Sequence, residues 1–132
     1  METITLPTRL KDQIISHAAS SSHMEVCGLI GSINNQPSTV YPVKNIADDQ
    51  AKNFLMDPEA QIDAMKQMRD KQEELWGIYH SHPESSAMPS EIDLNMAAYP
   101  GVYYFVVSLE KLNPEITAWW FDGKTFLAVE LI

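Results

Sequence analysis

A single cysteine, Cys27, stands among the 132 residues, so no disulfide can form within the chain, and a reducing compartment suits it. Basic residues are also scarce: 9 Lys and Arg face 18 Asp and Glu, a formal net charge of -9. Nucleic-acid surfaces rely on clustered Lys and Arg that release counterions. No such cluster offsets the acidity here, which excludes that class of partner. No apolar run approaches the roughly 20 residues a membrane helix needs. The opening METITLPTRLKDQ lacks the basic stretch and apolar core of a signal peptide. A cytoplasmic protein with neither nucleic acid nor membrane as partner is expected.

What remains is ordinary for a globular protein, with 45% hydrophobic and 20% charged residues. A chain of this length can bury one core, so residues 1–132 are read as one domain. A strand at Ile4–Leu6 and a helix from Pro7 to about Ala19 come first, with Leu10, Ile14 and Ala18 on one face at i, i+4, i+8. The apolar run Val26–Gly31 reads as a buried strand. A turn at Asn34–Pro37 and a return strand at Thr39–Val43 follow. After a polar loop over 44–53, a short strand is expected at Phe54–Met56. Asp57 and Pro58 then open a helix to about Glu74, with Ile62, Met65 and Met68 inward. Leu75–His80 is a strand, and Ser90 starts a short helix to about Ala98. Strands at Val102–Ser108, Ile116–Phe121 and Thr125–Leu131 complete the chain, the last two joined at Asp122-Gly123. Helices packed outside a central sheet make this an α/β fold.

The chemistry is concentrated in His80-Ser81-His82-Pro83, then six residues, Ser90, two residues and Asp93. Side chains two apart in a strand point to one side, so His80 and His82 can present both imidazoles to one ion, with Ser81 turned away. Pro83 ends the strand because it has no N–H for the ladder. Glu84–Pro89 is long enough to fold back and let Asp93 reach the same ion from the first helical turn. Two histidines and a carboxylate leave a fourth tetrahedral position open, as catalytic zinc sites do. Taken singly, each part has a plainer reading. Ser90-x-x-Asp93 matches a helix capping box, His-x-His occurs on ordinary strand faces, and His17 and His23 read as surface or satisfied core residues. Together, six fixed positions recur by chance roughly once in 10⁷ to 10⁸ starting points.

With those residues in view, the sequence resembles the JAMM (MPN+) metallopeptidase family over nearly its whole length. The family pattern is an early glutamate, then His-Ser/Thr-His-Pro, six residues, Ser, two residues and Asp. The early glutamate maps onto Glu25 in Met24-Glu25-Val26-Cys27-Gly28-Leu29-Ile30-Gly31. The resemblance implies one Zn²⁺ per chain held by His80, His82 and Asp93, with Glu25 as general acid/base and Ser90 assisting at the oxyanion. It also implies an MPN domain, a curved mixed sheet flanked by helices. Glu25 lies just ahead of an apolar strand, where partial burial could raise its pKa. Cys27, two residues on, points to the same side and reads as a small buried hydrophobe.

Some of the small stand-alone members that this chain resembles act on ubiquitin-like sulfur carriers, so a substrate with a Gly-Gly tail is expected. A flexible diglycine end could thread a cleft as an added strand, lined from 44–56 and 84–89. Two other classes stand beside this reading: a metal-dependent hydrolase of another amide, such as a cell-wall or phage-related peptide, and a non-catalytic MPN scaffold. The intact Glu25, His80, His82, Ser90 and Asp93 set argues against the scaffold.

Overall fold

The computed structural model describes residues 1–132. Strand β1 spans Thr3–Ile4, helix α1 Thr8–Ala19, β2 Cys27–Ile33, β3 Gln36–Val43 and α2 Pro58–Asp70. Then come β4 Glu74–His82, α3 Glu91–Met96, β5 Val102–Ser108, β6 Glu115–Phe121 and β7 Phe126–Leu131. The strands form one mixed sheet in the order β1-β7-β6-β5-β4-β2-β3. Its centre pairs β4 antiparallel to β2 and parallel to β5. The parallel pair needs a crossover, and residues 83–101, which include α3, supply it.

Each face of the sheet has its own core. Leu10, Ile14 and Ala18 of α1, all fully buried as their spacing predicts, pack with Tyr79, Phe105 and Val107. On the other face Ala64 and Met68 of α2 pack with Cys27, Leu29, Ile78 and Tyr104. A β-bulge where β4 passes Ile30 and Gly31 breaks the alternation, so Trp76 and Tyr79 both join the α1 side. Beyond it Ile78, His80 and His82 share the α2 face by the two-residue period. Tyr79 is wholly buried and accepts or donates a 2.7 Å hydrogen bond with His17 Nδ1, beneath α1.

Several boundaries differ from expectation. The turn after β2 is only Asn34-Asn35, both left-handed at φ 51° and 62°, and Gln36 and Pro37 already pair with Ile33 and Ser32. That is the hairpin geometry which matches strand twist. Phe54–Met56 is no strand: a single bridge, Asn45 to Met56, holds it. Helix α2 stops at Asp70, and Gln72 turns left-handed at φ 59° to launch β4 at Glu74. Ile62 is 53% exposed, with Ala64 in the inward position instead. The buried stripe of α2 thus runs through Ala64 and Met68, one turn apart.

Gly28 faces the Tyr79 ring so closely that an added Cβ would stand 2.4 Å from it. A wholly buried ring on a central strand has nowhere to retreat. Gly28→Ala is expected to cost about 1–3 kcal/mol, read as a lower denaturation midpoint. An unchanged midpoint would mean that β2 and β4 separate freely, contrary to the packing described.

Candidate metal centre

His80 and His82 end β4, and Asp93 sits in the first turn of α3; all three are buried. His80 Nε2 and His82 Nε2 are 3.1 Å apart, and Asp93 Oδ2 lies 3.0 Å and 3.1 Å from them. The expected ligand atoms are thus brought to one point. Ligands about 2.0–2.1 Å from a tetrahedral zinc stand about 3.3–3.4 Å from one another, so the triangle fits such an ion with little adjustment. The tautomers fit too. His82 Nδ1 donates to the Ser86 carbonyl at 2.8 Å, so the neutral ring carries its lone pair on Nε2, the atom a metal would take, while the protonated ring can donate from Nε2 to Asp93. His80 Nδ1 is buried without a partner, and the ring stacks on Phe54 with centroids 4.5 Å apart.

Asp93 arrives because the crossover loop is pinned at three successive carbonyls. Ser108 Oγ donates to Ser85, His82 Nδ1 to Ser86 and Thr117 Oγ1 to Ala87. Ser90 then caps α3: its Oγ accepts from Asp93 N–H at 3.0 Å, and Asp93 Oδ2 accepts from Ser90 N–H at 2.8 Å. The capping-box reading of Ser90-x-x-Asp93 is thus met, and the same carboxyl oxygen lies beside both imidazoles. The cap leaves the hydroxyl hydrogen of exposed Ser90 free to donate elsewhere.

Glu25 is the fourth piece. Val26 and Ser81 exchange hydrogen bonds, Val26 N–H to Ser81 Oγ at 2.8 Å and Ser81 N–H to the Val26 carbonyl at 3.0 Å. Ser81 is thus structural and faces away from the imidazoles, as its position predicts. Carried one residue further, this pairing sets Glu25 opposite His82. The Glu25 carboxyl is buried, and its Oε1 has no hydrogen-bond partner.

Charge in the site is unevenly held. Burial pushes Glu25 up to about 8, and the carboxylates of Asp93 and Asp49 add to the rise while His82 opposes it. Burial also works against the Asp93 anion, yet hydrogen bonds from His80, His82 and Ser90 N–H hold it far below the usual carboxylate range. His80 is pushed down by burial. For His82 burial is outweighed by Asp93, the Ser86 carbonyl and Glu25, so its pKa rises. Two carboxyls driven apart in this way suit separate duties, one a permanent anion and one a proton carrier.

Beside His80 and Asp93 opens a cleft of about 210 Å³, mostly apolar and lined by Phe54, Leu55, Met56, Met96, Tyr99 and Tyr104 among others. Of the expected lining from 44–56 and 84–89, only Phe54, Leu55 and Met56 line this cleft; the end of α3 and Tyr99 supply other parts of the wall. Cys27 is fully buried, with burial raising its thiol to about 12, so it stays an inert hydrophobe. His17 pairs with Tyr79 on the opposite face and His23 is exposed, so neither joins the site. Sequence reasoning missed Phe54, Ser108 and Thr117, whose only local signal is to be an aromatic or hydroxyl residue in an apolar setting.

The Glu25 shift has a consequence for the metal-free protein. Below about 4.5 Glu25 is protonated folded or unfolded; between about 4.5 and about 8 only the folded form keeps the proton. Its contribution to stability is therefore full at low pH and lost as pH rises through about 8. Relative to chelator-treated wild type, Glu25→Gln is expected to gain melting temperature from about pH 5 up to about 8 and to level off above that. A difference independent of pH would refute the buried, unpartnered carboxyl.

Comparison with known proteins identifies the family of the chain. The family model of prokaryotic homologs of the JAB domain matches residues 7–122. The chain is 31% identical over 111 residues to the desampylase of Haloferax volcanii, covering 80% of each chain. It is 29% identical over 101 residues to the CysO-cysteine peptidase of Mycobacterium tuberculosis, covering 75% of this chain and 68% of the relative. Among solved structures, protein DSY2949 of Desulfitobacterium hafniense superposes with a TM-score of 0.81 at 30% identity, over 97% of this chain and 92% of that one. The match across nearly the whole chain, joined to the mixed sheet and the His80, His82, Asp93 cluster, shows that the chain belongs to the family of prokaryotic homologs of the JAB domain.

Proposed function

We propose that the chain is a zinc-dependent peptidase that hydrolyses a peptide or isopeptide bond at the C-terminal end of a ubiquitin-like sulfur carrier. The observation that carries this reading is the convergence of His80 Nε2, His82 Nε2 and Asp93 Oδ2 beside a second, buried carboxyl, Glu25. Two imidazoles and a carboxylate suit zinc. The names of relatives, a desampylase and a CysO-cysteine peptidase, support hydrolysis of conjugates of small protein carriers.

His80, His82 and Asp93 would hold the ion on the rigid end of β4 and the capped start of α3. Bound there, zinc supplies Lewis acidity that brings the pKa of a coordinated water from about 15.7 toward 7. Glu25 takes the proton from the attacking water and returns it to the leaving amine. Burial raises the basicity of the Glu25 carboxylate above that of an exposed one, which suits it to take that proton. Ser90, whose oxygen is already used as acceptor by Asp93 N–H, turns its O–H toward the carbonyl oxygen as negative charge develops there. The apolar cleft beside His80 excludes water and accommodates the flexible tail, with the diglycine segment held through its backbone.

The test is zinc stoichiometry measured together with cleavage of a ubiquitin-like carrier bearing a tail beyond Gly-Gly. Wild type is expected to hold one zinc per chain and cleave. Glu25→Ala should keep zinc and lose at least about 100-fold in kcat, in line with the loss of a general base. His82→Ala should lose the metal itself. Wild type with no zinc and no cleavage would overturn the reading.

A further inference from the structure

Glu25 stands outside β2, which begins at Cys27, so the regular ladder does not hold its peptide. The segment 45–56 does. Glu25 N–H donates to the Gln50 carbonyl at 2.7 Å, and the Glu25 carbonyl accepts from Asn45 Nδ2 at 2.9 Å. The same Asn45 amide donates to the Asn53 carbonyl at 3.1 Å and accepts from Ala47 N–H at 2.9 Å and Leu55 N–H at 3.0 Å. Two donors meet two carbonyls and one oxygen meets two N–H groups, so all four hydrogen-bonding positions are used and only one amide orientation serves.

Asn45 also closes the neck of the segment. It bridges Met56, and Ile46 N–H donates to the Leu55 carbonyl at 2.8 Å. Between them the segment carries Phe54 onto the His80 ring and places Leu55 and Met56 along the cleft. One amide thus ties the peptide bearing Glu25 to the loop that braces a metal-ligand ring.

We propose that Asn45 is a positioning residue: it holds the Glu25 carboxyl in place through the Glu25 carbonyl while anchoring the loop that stacks Phe54 on His80. The inference rests on the role of Glu25 in the proposed reaction. None of the Asn45 hydrogen bonds reaches His80, His82 or Asp93, which keep their own supports in β4, the Ser86 carbonyl and the Ser90 cap, so loss of Asn45 bears first on the Glu25 peptide. Misplacement therefore shows in the proton-transfer step and not in metal loading.

Three variants test this: Asn45→Ala, Asn45→Asp and Asn45→Ala combined with Glu25→Gln. Asn45→Asp keeps the oxygen that Ala47 and Leu55 bond but removes both donors, including the one to Glu25. In both single variants kcat should fall about 10- to 100-fold while zinc content stays within about two-fold of wild type. Added to Glu25→Gln, Asn45→Ala should lower the residual rate no further, because the group it positions is already gone. Amide exchange gives a readout independent of any substrate. The Glu25 amide should exchange faster in both single variants, with β4 amides unchanged, while the Ala47 and Leu55 amides stay protected in Asn45→Asp. Full kcat in Asn45→Asp, an additive loss in the double variant, or unchanged Glu25 exchange would overturn the proposal. A wild type inactive on the carrier would count against the peptidase reading alone and leave the exchange result to decide the role of Asn45.

Discussion

The antiparallel pairing of β2 with β4 is the constraint on which the site depends. Cys27 sits opposite His80, and the exchange between Val26 and Ser81 continues that register toward Glu25 and His82. A slip of one residue would turn both imidazoles into the α1 core and bring Ser81 to the site. The register is protected from that slip on both faces. Gly28 admits the Tyr79 ring on one side, and Leu29 and Ile78 are buried on the other. The packing of two apolar cores therefore decides where two polar side chains point.

Given that register, the site is built by adding less regular pieces to a rigid base. The crossover from β4 to β5 returns beside the strand it left, because the two are parallel neighbours. Its three clamped carbonyls set the loop, and the loop sets the start of α3. On the opposite side, the segment between β3 and α2 has almost no regular structure and is ordered chiefly by one asparagine. His80 and His82 thus come from a central strand, whereas Asp93 and Glu25 come from less regular segments held largely by side-chain hydrogen bonds.

Legibility in the sequence followed the same division. The α1 stripe, β5 and the hairpin at Asp122-Gly123 follow from periodicity and turn chemistry, which are local. The His80, His82, Ser90 and Asp93 pattern was readable because strand alternation and helix capping fix directions over a few residues. Ile62 against Ala64 was not, since the buried stripe of α2 is decided by how the helix is set against the sheet. The linking role of Asn45 was equally invisible: its partners lie as far as 20 residues away in sequence and are backbone groups, which any residue would offer. The Phe54 segment reads as a strand by composition, yet it has only one bridge partner.

Asp93 Oδ2 serves at once as helix cap and as a corner of the ligand triangle. The spacing from Ser90 to Asp93 cannot lengthen or shorten without disturbing both, and the clamped carbonyls at 85–87 similarly fix the loop before it. A change of length between residues 83 and 93 would therefore shift the helix cap and the ligand triangle together, whereas one just after α3 would reshape a wall of the cleft and leave the cap as it is.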